Sequence, residues 1–267
     1  MARTRGVWNT KGTWAAAVAL FAVLILTAYA MLGGDDAATD AQAPTKGAPS
    51  AGVSGPASPE ATYAVPDDWT EPERWTALPR GQRTDERGSQ VGFPHSLEGA
   101  AAMVVAANTV RIEGDRLAVD EQRRMYHSYF GQGDQSAGNL KTIEQGGNDT
   151  DKQLAGEMGI AAGQPLPSGA YVRSTAVGYK VVKKSGDEVS LWVLARVVQK
   201  TGETAKETSS YTRSVVGAQW QRGDWKLTTD ALARALKDAE GQDEPTIAAP
   251  GDAAFNSGGW TAIREAS

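Results

Sequence analysis

Hydrophobic and polar positions follow three successive patterns along this chain. From Trp14 to Leu32 the run WAAAVALFAVLILTAYAML carries no charge. About 19 residues at ~1.5 Å rise make a helix of roughly 28 Å, enough to cross the hydrocarbon core of a bilayer. Its bulk comes from Trp14, Leu20, Phe21, Leu24, Ile25, Leu26 and Leu32. Residues 33–65 are rich in Ala, Pro, Gly, Ser and Thr and almost free of large apolar side chains. That composition cannot bury enough surface to offset ordering, and predicts a flexible linker. From Pro66 onward apolar residues recur, first with helical spacing and then in alternation.

Pro94 blocks helix upstream, Ser96 offers a cap, and Glu98 falls in the first turn. Ala100, Met103, Val104, Ala107, Val110 and Arg111 then keep three-four spacing, which predicts one helix running through to Arg111. Asp120 is placed to cap a second helix, EQRRMYHSYF, closed by Gly131. A third helical stretch over 138–158 is expected to break at Gly146-Gly147, with Thr150 and Gln153 forming a capping box for its second half. After Pro167 the segments YVRSTAVGYKVV, EVSLWVLARVVQK, KETSSYTRSVVGAQWQ and DWKLTT alternate and are rich in Val, Tyr, Thr and Trp. Turns fit at Ser185-Gly186-Asp187, at Thr201-Gly202-Glu203 and at Gly223-Asp224. In the second of these strands Leu191, Val193, Ala195 and Val197 share one face and Trp192, Leu194, Arg196 and Val198 the other, as in a strand covered on both sides. Asp230 is placed to cap a last helix, ALARALKDAE. The expected fold class is α+β: a transmembrane helix, a linker, then about three helices on a curved four-stranded antiparallel sheet.

Charge sets orientation. Arg3, Arg5 and Lys11 precede the apolar run, and Asp35, Asp36 and Asp40 follow it. Basic flanks stay cytoplasmic, so the N-terminus is expected inside and the domain outside. The divisions are then a basic tail at 1–13, an anchor at 14–32, a linker at 33–65, a domain at 66–240 and a tail at 241–267, from which Phe255, Trp260 and Ile263 can pack back. The rival reading is a signal peptide cut near Ala30, since Ala28-Tyr29-Ala30 has the small-x-small form. Met31 and Leu32 extend the apolar core past that cut, which favours a retained, single-pass anchor. The chain of 267 residues has net charge -5 and no cysteine. Acidic balance disfavours direct nucleic-acid binding, and lack of cysteine excludes disulfides, a thiol nucleophile and a lipobox.

Signatures of chemistry are sparse. His95 and His127 are the two histidines, and neither belongs to a His-Glu-x-x-His or accompanies a Gly-x-Ser-x-Gly. Gly131-Gln132-Gly133-Asp134 follows no strand and reads as a loop, and Asn148-Asp149-Thr150 reads as a helix cap despite its sequon form. No catalytic, cofactor-binding or metal-binding residue is assigned. Trp69 and Trp75, with Pro72 between them, form either an aromatic clasp on the domain or a partner contact. Tyr126, Tyr129, Tyr171, Tyr179 and Tyr211 are candidates for a polar-tipped cavity or for ordinary core packing.

The segment QWQRGDWKLT, with Trp220, Gly223, Asp224 and Trp225, resembles the last hairpin of cone-shaped nuclear-transport-factor-2-like (cystatin-like) domains. Pro94, His95, Ser96, Gly99 and Ala100 resemble the Pro-His-[ST]-x-x-Gly-Ala helix opening of an uncharacterised family of actinobacterial membrane-anchored proteins. The layout is similar to that of inner-membrane scaffold subunits of conjugative type IV secretion systems. The resemblance covers about residues 66–240 and implies a non-enzymatic scaffold or accessory role, without cofactor or metal. Its partners would be the bilayer, through residues 14–32, and membrane proteins or further copies of the chain. The alternative is an extracytoplasmic small-molecule binder or cone-type enzyme. A receptor coupled to the cytoplasmic tail ranks below both, because about 13 residues are too few for a signalling domain.

Overall fold

The computed structural model describes residues 68–264. The anchor residues Trp14, Leu20, Phe21, Leu24, Ile25, Leu26 and Leu32 and the 33–65 linker lie outside the described residues. Among the described residues no helix is long and apolar enough to cross a membrane.

The chain order is β1 (Trp75–Ala77), β2 (Arg83–Thr84), β3 (Gln90–Val91), α1 (Leu97–Asn108), β4 (Val110–Glu113), α2 (Ala118–Tyr129), a 3-10 turn (Gln132–Asp134), α3 (Ala137–Met158), β5 (Ala170–Lys184), β6 (Glu188–Thr201), β7 (Thr208–Gln221), β8 (Asp224–Leu227), α4 (Thr229–Ala239), α5 (Ala253–Ser257) and β9 (Thr261–Arg264). β5 to β8 pair antiparallel in chain order. The expected four-stranded antiparallel sheet with about three helices is nevertheless wrong. The main sheet has seven strands and is mixed, because β4 and β9 pair with β5 and β1 runs parallel to β9. Among the described residues five helices accompany it.

Each correction has a local cause. The first helix stops at Asn108, whose side-chain amide donates to the Val104 carbonyl at 2.7 Å, and Thr109 is already extended. Val110 and Ile112 then bury alternately as strand β4, so the helical spacing of Val110 and Arg111 was coincidental. Helix α2 begins at Ala118, three residues before its expected start. Asp120 lies within it and accepts from the Leu117 N–H at 3.1 Å, while Asp151 of α3 accepts from the Ala118 and Val119 N–H groups at 2.7 and 3.1 Å. Burial pushes the Asp151 carboxyl above its ordinary value against the pull of those two donors. Helix α3 runs unbroken through Gly146-Gly147. A Cβ on Gly147 would fall 2.5 Å from the Val119 Cα, so this glycine permits close packing of α2 and α3 and breaks nothing. Thr228, not Asp230, caps α4, accepting from the Ala231 N–H at 3.0 Å.

β6 is covered on both faces. Leu191, Val193, Ala195 and Val197 join Met103, Ile112, Tyr126, Ile143 and Leu154 in one core, under α1, α2 and α3. Trp192 and Leu194 join Ala235, Phe255, Trp260 and Ala262 in a second core, under α4 and the C-terminal segment. The segment after Gly241 is therefore structural, with Phe255 and Trp260 essentially inaccessible and the Trp260 Nε1 donating to the Thr246 carbonyl at 2.8 Å. β4 lies beside residues 171–174 of β5, and β9 beside 178–179 on the same edge. Among the described residues Thr175, Ala176 and Val177 have no ladder partner on that edge, and a register shift marks a bulge at Val177.

Candidate functional site

The motif residues converge at one end of the sheet. Ser96 Oγ accepts from the Gly99 N–H at 3.1 Å, which caps α1. The Pro94 carbonyl accepts from Trp225 Nε1 at 2.8 Å and sits so close to α1 that a Cβ on Gly99 would fall 1.9 Å from it. Asp224 Oδ1 accepts from the Phe93 and Trp225 N–H groups, both at 3.0 Å. Gly223, at φ 85, makes the turn that pairs Trp220 with Trp225 across β7 and β8. The His95 ring stacks on Trp220 at 4.1 Å, and its Nε2 lies 2.8 Å from the Gly186 carbonyl and 2.9 Å from Asp187 Oδ1. His95 thus fastens the start of α1 to the β5–β6 turn. Its ring faces Gly186 and Asp187 while Ser96 Oγ faces a helix N–H, so the neighbours in sequence make no nucleophile–base pair.

Trp69 and Trp75 are half-buried near the start of the described residues. The Glu71 carboxylate accepts from both indoles, at 3.1 Å from Trp69 and 2.9 Å from Trp75. Thr70 N–H donates to the Gly251 carbonyl at 2.7 Å, and Asn256 bonds the Glu71 carbonyl and the Glu73 N–H. The two indoles fold onto the C-terminal segment.

Between helices and sheet, a cavity lined by Ala107, Met125, Val216 and Leu232 encloses only about 50 Å³. Larger concavities lie at the surface. One cleft of about 370 Å³ is lined by Ser89, Gln90, Arg111, Arg116, Arg124 and Tyr129. A second, of about 420 Å³, has an apolar floor of Leu78, Phe93, Val105, Val177 and Ile263, with Arg80, Arg111 and Arg264 around it. Both include Gln90, Ala106, Thr109 and Arg111, so they form one groove that passes the open stretch of β5 at 175–177.

Within the first cleft, Glu121 is 2% exposed and pairs with Arg116 and, at 3.1 Å, with Arg124. Arg124 also donates to Ser89 Oγ at 3.0 Å and to the Thr109 carbonyl at 2.8 Å. This network fixes the groove wall between α2, β3 and the end of α1. Burial pushes the Tyr129 phenol up, against Ser89 and Arg124. The groove residues come from widely separated segments, and no motif joins them in the sequence. Arg111 in particular was read as part of the first helix, and its exposure on β4 follows only from the strand that replaces that helix end.

Among the described residues, no group of three or more His, Cys, Asp or Glu side chains is placed to hold a metal ion. His127, half-exposed and edge-on to Tyr126, lines a separate polar cleft with Arg83, Gln132 and Lys226, and burial, ahead of Arg87, lowers its pKa. Compared with protein-family models, curated proteins and solved structures, the chain matches none.

Proposed function

We propose that this chain is a non-enzymatic adapter working at the outer face of a cell membrane, as a scaffold or accessory subunit of a conjugative, type IV secretion-like DNA-transfer apparatus. In this reading residues 14–32 hold the chain in the bilayer with the N-terminus cytoplasmic. The 33–65 tether presents the domain, which binds membrane proteins or further copies of itself. The observation that carries the reading is the arginine-ringed groove. Arg80, Arg111, Arg116, Arg124 and Arg264 line it, against one carboxylate, Glu121, among the described lining residues, on a chain whose net charge is -5. Such a local reversal of charge in a concave surface favours recognition of an acidic partner.

The test is chemical cross-linking of the full chain in its native membrane, read by mass spectrometry. Transfer components or a homo-oligomer are expected. A chain that traps no membrane protein and stays monomeric in detergent contradicts the proposal.

A further inference from the structure

We infer that the groove receives an extended partner segment in which acidic residues flank apolar ones. The inference rests on the adapter reading and adds the chemistry of the partner.

Three observations converge on this occupant. First, Arg111 stands at the junction of the two clefts and makes no hydrogen bond or ion pair through its guanidinium among the described residues. Its cross-strand neighbour in the β4–β5 register is Arg173, a like charge. Like charges directly opposite each other destabilise a strand pair. Arg173 is held by Glu113 at 2.6 Å and stacks over Tyr171 at 4.3 Å; Arg111 draws on the same Glu113 carboxylate through space, so this strand pair sets two cations against one carboxylate. Secondly, both clefts hold an excess of cations: Arg116 and Arg124 share the single carboxylate of Glu121 in one, and Arg264 stands over Trp75 in the other. An amphiphile with a single anionic head would satisfy one end only, whereas a polypeptide can place carboxylates at several positions. Thirdly, the apolar floor of Leu78, Phe93, Val105 and Ile263 lies beside the edge of β5 at Thr175–Val177, which has no ladder partner among the described residues. Apolar side chains of a partner fit that floor while its backbone lies along the open edge.

The groove wall is already built: Glu121 holds Arg116 and Arg124, and Arg124 bonds Ser89 and Thr109. Arg111 and Arg264 are the exposed members, Arg264 resting over the Trp75 ring at 4.8 Å. They are the residues to reverse, because neither supports the buried network.

A photo-reactive amino acid is placed at Thr175 in the full chain, and separately at Lys184 at the far end of β5. Adducts formed in the native membrane are sequenced. From Thr175 the inference expects protein segments with carboxylates flanking apolar residues, trapped at least about tenfold less in Arg111→Glu/Arg264→Glu and less at high salt. The milder Arg111→Ala, with an unchanged thermal midpoint, should give the same direction. Lipid or basic segments trapped at Thr175, or trapping indifferent to the arginines, overturn the inference. Partners trapped at Lys184 but none at Thr175 overturn it while leaving the adapter reading intact. No protein adduct from either position counts against both.

Discussion

Gly99 shows how one position ties the sequence motif to the fold. The Pro94 carbonyl approaches α1 there, and the same carbonyl accepts the Trp225 indole N–H at 2.8 Å. Replacing Gly99 by Ala forces the helix start and the last hairpin apart. The expected loss is about 2 kcal/mol or more, measured by urea unfolding, and Trp225→Phe, which removes the hydrogen bond and part of a buried ring, should cost about 2 kcal/mol or more as well. His95→Ala is expected to loosen the β5–β6 turn, because the ring stacks on Trp220 and meets Gly186 and Asp187. Amide exchange at Gly186 and Asp187 checks this, and unchanged exchange contradicts the fastening role.

Among the elements, the short β2–β3 hairpin depends on Asp85. Its Oδ1 accepts from the Arg87 and Ser89 N–H groups at 2.9 and 2.8 Å, and its Oδ2 from the Ser128 hydroxyl at 2.6 Å. Burial raises its pKa, but Ser128 and the two backbone donors outweigh that and hold the carboxyl below its usual value. A depressed carboxylate pKa contributes stability above the unfolded value, about 3.9, and loses it as pH falls through the folded value. Asp85→Ala should therefore cost about 1–2 kcal/mol near neutral pH, with the gap from wild type shrinking below about pH 4. Chemical unfolding across pH measures it; a gap independent of pH contradicts the assignment.

Much of the central sheet was legible because β5, β6 and β7 are long, rich in Val, Tyr, Thr and Trp and separated by polar turns, and Ser96 marked the start of α1. The short strands were not. β1, β4 and β9 have three or four residues each, and their pairing with distant segments leaves no periodic trace. The C-terminal segment, expected as a tail whose Phe255, Trp260 and Ile263 can pack back, completes the second core through Phe255 and Trp260. Removing residues 243–267 uncovers Trp192 and Leu194 and should cost about 5 kcal/mol or more, enough to abolish cooperative thermal unfolding. A truncated chain that still melts cooperatively near the wild-type midpoint contradicts this role. The groove was illegible for a related reason: its arginines meet only because β4 and β9 share one edge of β5.

For the whole molecule, the proposal places a two-core domain at the end of a tether whose reach is roughly 30 Å. The domain carries its arginines in a groove beside an open sheet edge, and the excess acid elsewhere keeps that positive surface local. All of this presupposes that the domain lies outside the membrane whose inner face holds Arg3, Arg5 and Lys11. The most direct test is a topology reporter fused after Ser267 in the full chain, using a pair of enzymes active on opposite sides of the membrane. The account predicts signal from the extracytoplasmic reporter alone, with the fusion retained in the membrane fraction. Signal from the cytoplasmic reporter, or a fusion released from the membrane, contradicts it.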